Sequence, residues 1–266
     1  MKKLRQFAIG LTVLAAAGTA SAAAVTIQFD NPIFAPFSGY DVVGIKFPSA
    51  PGGVLADRSL NVAAGRFQGT ASDLDGIAPA VFVDSVSNVF MYCYDLYETI
   101  AGGRTVRYQI NFGGETARTL DFLGAVNSVL NTQRGQTGDS YDRFAWVHPT
   151  DIYQSAAIQL GIWESRFDSS SQWNLADGLF QAWNLDGSAG AADAGSGKTH
   201  WYVEQFLAHR EAADALDGQY AMTLVANNAQ DMITGDPPSR VPEPGSLVLA
   251  GLALAALVGA RRKPVA

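Results

Sequence analysis

"TDIYQSAAIQLGIWESRF" (150–167) decides how the rest of the chain is read. Pro149 precedes it, and Thr150 and Asp151 are both favourable helix N-cap residues. Ile152, Ala156, Gln159 and Trp163 then recur at spacings of four, three and four. That spacing places them on one stripe of a helix, the stripe that faces a core. Gln159 is the polar member of the stripe. A carboxamide among apolar neighbours requires a hydrogen-bonding partner.

Upstream of this helix the chain reads as strands. "YDVVGIKF" (40–47), "SLNVAAGRFQG" (59–69), "NVFMYCYDLYET" (88–99) and "RTVRYQINF" (104–112) are rich in β-branched and aromatic residues, with Gly, Pro, Asp and Asn between them. "AGGR" (101–104) suits a hairpin joining the last two. Helical spacing appears in "TLDFLGAVNSVLNTQ" (119–133) and again in "THWYVEQFLAHREAADAL" (199–216), which Gly218 would close. "QYAMTLVAN" (219–227) returns to a strand pattern, and "LDGSAGAADAGSG" (185–197) is a small-residue loop. The expected class is α+β: an antiparallel β-sandwich or barrel-like core with an inserted helical group.

The two ends follow different rules. Residues 1–22 have a basic start at Lys2, Lys3 and Arg5, a short apolar run from Phe7 to Ala17, and "ASA" at 20–22. These are the parts of a secretory signal peptide, which implies signal peptidase as a processing enzyme. Residues 23–233 form the exported body and 234–240, "TGDPPSR", a linker. In 241–266, Pro242, Glu243 and Pro244 are followed by an apolar run from Leu247 to Ala260 and then Arg261, Arg262 and Lys263. The run is near the short limit for a transmembrane helix, and the basic cluster keeps the extreme C-terminus cytoplasmic. This tail resembles the PEP-CTERM sorting signal of Gram-negative bacteria. The resemblance implies an exosortase as processing partner and transient anchoring in the inner membrane through 247–260. The cell surface or the extracellular matrix would be the destination.

The whole chain holds 18 Lys and Arg against 25 Asp and Glu. Removing the six basic residues of the two ends, and Glu243, leaves 12 against 24, a net charge near −12. So acidic a body is not built to bind nucleic acid, which is held through phosphate neutralisation by Lys and Arg. Cys93 is the single cysteine, so an exported body cannot close an internal disulfide, and a lone thiol there must be buried or bonded otherwise.

Other motifs carry little. "ADAGSGKT" (192–199) fits a relaxed phosphate-loop pattern, but Ala192 stands at the first position and no apolar strand precedes it. His200 and Glu204 are four apart, which is two ligands and not a metal site. Glu164 and Asp168 at the same spacing read as a solvated face. No catalytic set, metal site or cofactor is expected, and the chain does not read as an enzyme.

Cys93 and Gln159 remain as two puzzles with one solution. A buried thiol beside a buried carboxamide can form an internal thioester, with ammonia leaving. "YCYDL" (92–96) and "AIQLGIWE" (157–164) resemble the two motifs of thioester-domain surface proteins. The first is an aromatic residue before Cys. The second is Gln, a small residue two places on, an aliphatic residue and Trp, matched by Gln159, Gly161, Ile162 and Trp163. The resemblance implies a Cys93–Gln159 bond shielded by Tyr92 and Trp163, and capture of an amine or hydroxyl on a surface polysaccharide or protein. The chain departs from the pattern at Ile158, where the family favours Thr, and at Gly161, where it favours Ala. The alternative is a non-covalent structural or binding protein of an exopolysaccharide or biofilm matrix. A secreted hydrolase is the weakest reading.

Overall fold

The computed structural model describes residues 23–34, 39–56, 59–168, 173–184 and 198–237. Within them the chain forms β1 (Ala24–Phe34), β2 (Tyr40–Lys46), β3 (Leu60–Gly65), β4 (Phe67–Asp75), β5 (Val89–Cys93) and β6 (Thr105–Phe112). Then come α1 (Ala117–Arg134), α2 (Ile152–Phe167), β7 (Gln181–Asn184), α3 (Lys198–His209), β8 (Ala221–Val225) and β9 (Met232–Gly235). Six strands close an antiparallel barrel in the order β1-β4-β5-β9-β8-β6. The other three form a small sheet, β3-β2-β7. The class is α+β, as the alternation of strand and helix patterns indicates.

Period-two burial sets the barrel interior. Val25, Ile27 and Phe29 of β1 and Val106, Tyr108 and Ile110 of β6 are buried, while Gln28, Thr105, Arg107 and Gln109 between them are exposed. Pairing carries the same face across the sheet: Ile27 lies opposite Ala71, Phe29 opposite Gly69, and Phe67 opposite Met91. Cys93 shares a face with Met91, so its side chain points into the barrel. Tyr92 points outward, beneath the helices.

α2 is the centre of the second layer. Asp151 caps it, accepting hydrogen bonds from the backbone N–H groups of Tyr153 and Gln154 at 2.9 Å each. Every residue from Gln154 to Ser165 is buried. A helix buried all round must be covered on all sides. Here α1 and α3 pack on it, and so do β2 and β3 of the small sheet. The close approach of α1 explains Gly161, because a Cβ there would overlap the ring of Phe122, itself fully buried.

Several expectations require correction. The stretch 59–69 is two strands: the chain leaves the small sheet at Gly65 and enters the barrel at Phe67, with Arg66 buried at the crossing. The "AGGR" turn does not join a hairpin. β5 pairs with β4 and β9, whereas β6 pairs with β1 and β8. β5 stops at Cys93, well short of residue 99. α3 ends at His209, and Gly218 starts a short 3-10 turn instead of closing the helix. Glu164 is completely buried and Asp168 is 5% exposed, so they form no solvated face. Arg118 approaches Glu164 at 3.7 Å. Burial, with the nearby Asp168 charge adding to it, pushes the Glu164 carboxyl up to about 8. β9 runs to Gly235 and Asp236 is still buried, so packing continues into the stretch read as linker. Strands β1, β7 and β9 have no counterpart in the sequence reading.

Among the described residues no helix is long and apolar enough to cross a membrane. The signal peptide, the 185–197 loop stretch and the sorting tail with its apolar run lie outside the described residues.

Gly161→Ala is expected to destabilise the body by roughly 1–3 kcal/mol through overpacking against Phe122. In chemical denaturation, pairing it with Phe122→Leu should cost less than the sum of the two single changes. Full additivity would mean that the two residues do not share this contact.

Candidate functional site

The site lies at one mouth of the barrel, where β5 ends. Gln159 answers there to a gap in the strand ladder. Phe67 pairs with Met91, so in the same register the partner of Cys93 would be Gly65. Gly65 is taken by the small sheet, where it pairs with Tyr40. The β4 side of Cys93 is therefore open, and its N–H and C=O need other partners. Gln159 provides both. Cys93 N–H donates to Gln159 Oε1 at 2.9 Å, and Gln159 Nε2 donates to Cys93 O at 2.8 Å. The carboxamide mimics a peptide group and continues the ladder from a helix.

The Cys93 thiol faces a different glutamine. Its Sγ donates to Gln230 Oε1 at 3.0 Å. The carboxamide carbon is one C=O bond from that oxygen, which puts it within about 4.2 Å of the sulfur. Gln230 sits in the loop between β8 and β9 and is 8% exposed. Four bonds fix it and its loop. Gln230 Nε2 donates to Asp95 O at 3.1 Å, and Tyr108 Oη donates to Gln230 O at 3.1 Å. Asp231 N–H donates to Asp95 Oδ2, and Ala226 N–H donates to Asp231 Oδ1, each at 2.9 Å. Tyr94 N–H adds a bond to Asp231 O at 2.7 Å.

The electrostatics favour a neutral sulfur. Burial pushes the Cys93 thiol well above its usual range, and the Asp95 charge adds to this. Burial also raises Asp95, to about 6, against the opposing effect of its backbone hydrogen bonds. A cavity of about 460 Å³ opens beside this end of the barrel, lined in part by Asp95, Glu98, Asp231, Arg166, Tyr97 and Phe167.

The structure thus brings Cys93 and Gln159 together through the Cys93 main chain, and turns the sulfur to Gln230. Tyr92 is buried, but its hydroxyl donates to Trp146 O at 3.3 Å on the helical side of β5. Trp163 is buried one turn beyond Gln159, with its ring 6.1 Å from that of Phe180. Sequence reading passes over Gln230. The available signal is local: in "AQDMI" (229–233) a Gln is bracketed by apolar residues that prove buried. His200 and Glu204 face each other at 3.1 Å, and among the described residues no group of three or more His, Cys, Asp and Glu side chains is placed to hold a metal ion.

Gln159→Ala leaves a buried N–H and C=O of Cys93 without partners. A loss of at least about 2 kcal/mol in unfolding free energy is expected from chemical denaturation. A change within about 0.5 kcal/mol would show that the ladder does not need the carboxamide.

Comparison with known proteins places one segment of the chain. Residues 240–263 match the family model described as the PEP-CTERM protein-sorting motif. No curated protein and no solved structure matches the chain, so the likeness of the body to thioester-domain proteins has no support from that side. Pro242, Glu243, Pro244, Arg261, Arg262 and Lys263 all fall inside the matched segment, and the motif implies an exported protein sorted by an exosortase, consistent with a place at the cell surface or outside it.

Proposed function

We propose that this exported exosortase substrate is a surface or matrix adhesin whose barrel carries an internal thioester between Cys93 and Gln230, with Gln159 holding the Cys93 backbone in place. The carrying observation is the 3.0 Å approach of the buried Cys93 sulfur to the Gln230 carboxamide oxygen. In bond formation the sulfur attacks the carboxamide carbon and the C–N bond breaks. Ammonia leaves with the thiol proton. An amine or hydroxyl on a polysaccharide or protein then attacks the same carbon, the C–S bond breaks, and the partner is linked through residue 230. The reaction happens once per molecule, so the protein is consumed as a reagent. Burial protects the bond from water until a partner arrives.

A second reading keeps Gln159 as the acyl partner, as the sequence suggests. Its support is that Cys93 N–H already donates to Gln159 Oε1, the oxygen on which charge would develop.

Intact mass of the purified protein tests both. The wild type is expected to lack the mass of one ammonia and to gain methylamine on incubation. Gln230→Ala should restore the full mass, while Gln159→Ala, where it folds, should keep the deficit. The reverse pattern would move the bond to Gln159. Full mass in the wild type, with Cys93 alkylated on unfolding, would leave a non-covalent matrix protein with an inert thiol. For the tail, deletion of 242–266 is expected to abolish retention at the envelope, followed by fractionation. Unchanged retention would remove the sorting role from this segment.

A further inference from the structure

The cavity beside the barrel mouth contains a group that the proposed bond chemistry needs and that the Cys93–Gln230 pair lacks. Attack by an amine creates a cationic adduct that must lose a proton, and it expels a sulfur that must gain one. Both Cys93 and Gln230 are acyl-transfer partners, and neither accepts that proton before the C–S bond breaks. Four side chains of the cavity wall are charged or chargeable at neutral pH: Asp95, Glu98, Asp231 and Arg166.

Their commitments differ. Asp231 Oδ1 is held by the N–H of Ala226. Arg166 is a cation, 5.3 Å over the ring of Tyr94. Glu98 is on the same loop, five residues after Cys93, with no bond that ties it to either glutamine among the described residues. Asp95 is different in three respects. Its Oδ2 is anchored by the N–H of Asp231, the Tyr97 N–H also favours its charged form, and its buried Oδ1 takes no hydrogen bond from another side chain among the described residues. Its own main-chain oxygen holds Gln230 Nε2 at 3.1 Å, so the carboxylate and the acyl group belong to one rigid turn. It also lines the cavity, whereas Cys93 and Gln230 are buried and do not line it, so Asp95 stands between the cavity and the pair in the chain's own turn.

We infer that Asp95 is the general base of the acyl transfer, taking the proton from a nucleophile in the cavity and delivering it to the departing Cys93 sulfur. This inference rests on the Cys93–Gln230 thioester proposed above. The step balances. The nucleophile's nitrogen bonds to the acyl carbon of residue 230, the C–S bond breaks with its electron pair on sulfur, and one proton passes from nitrogen through Asp95 to that sulfur. The surroundings favour this route. The Asp95 charge and the burial of Cys93 both disfavour a free thiolate, so sulfur leaves readily only if it is protonated as it leaves. Burial, with the Asp231 and Glu98 charges adding to it, sets the Asp95 carboxyl at about 6, where it is ionised at neutral pH yet still a useful base. The groups that face it are Cys93 on β5, Tyr97 and Glu98 on its own loop, Tyr108 on β6, Arg166 on α2 and Asp231 before β9.

The test uses the mature protein and methylamine, with intact mass as the readout. Asp95→Asn is expected to retain the ammonia deficit and to react roughly 100-fold more slowly than wild type above about pH 7. The ratio of the two rates cancels protonation of the amine itself. It should fall toward unity below about pH 5, with a midpoint at about 6. Glu98→Gln should react at close to the wild-type rate. A deficit retained in Asp95→Asn with an unchanged rate overturns the role of Asp95 and leaves the thioester intact. Should Asp95→Asn lose the deficit, the wild-type rate per unprotonated amine decides: an inflection at about pH 6 supports the base, and a flat profile overturns it. Absence of the deficit in wild type fails the thioester itself, which is a distinguishable result.

Discussion

The pair of hydrogen bonds between the Gln159 carboxamide and the Cys93 peptide groups is the constraint on which the rest of the structure turns. The barrel and the small sheet share one continuous run of chain, and where that run crosses at Arg66 the barrel loses a ladder partner. An unpaired buried N–H and C=O at the end of β5 would be costly. A side-chain amide has the same donor and acceptor as a peptide, so a helix can repair the ladder where no strand can reach. That repair locks α2 to β5, and through α2 it fixes α1, α3 and the small sheet. It also holds the Cys93 main chain still while leaving the sulfur on the other face.

Much of this is legible in the residues alone. The helical stripe of Ile152, Ala156, Gln159 and Trp163 marks a buried amide, and the lone Cys93 in an exported chain marks a buried thiol. Each needs a partner, and the two residues meet through the Cys93 main chain while the sulfur takes Gln230. What the sequence does not carry is which group meets which. Residue spacing places Gln159 and Cys93 on buried faces. Whether the amide faces the sulfur or the peptide depends on a missing strand partner, and that comes from pairings between residues far apart in the chain. Gln230 is hidden for the same reason. It lies in a short polar loop, and its importance comes from a loop closing over the barrel mouth.

The misjudged elements share that cause. "SLNVAAGRFQG" has uniform strand composition, and nothing local signals that it serves two sheets. β5 and β6 resemble a hairpin because they are neighbours in sequence, but each has two other partners in the closed barrel. Glu164 and Asp168 sit at a spacing typical of exposed helix faces. Spacing reports which residues share a face, and not whether a loop carrying Trp173 folds over it. Here Arg118 lies over the Trp173 ring at 3.8 Å, close to Glu164.

β9 is short, and it lies between β5 and β8, antiparallel to both. It is also the last described strand before the sorting segment. Its backbone hydrogen bonds lie on both of its edges, so β9 leaves the barrel only by breaking two ladders. That rupture engages bonds on both sides, unlike the opening of an edge strand, which has one ladder to lose. Gln230 stands just upstream of this strand and Cys93 ends the neighbouring one. The same few residues that close the barrel mouth therefore flank the last described strand before the sorting segment.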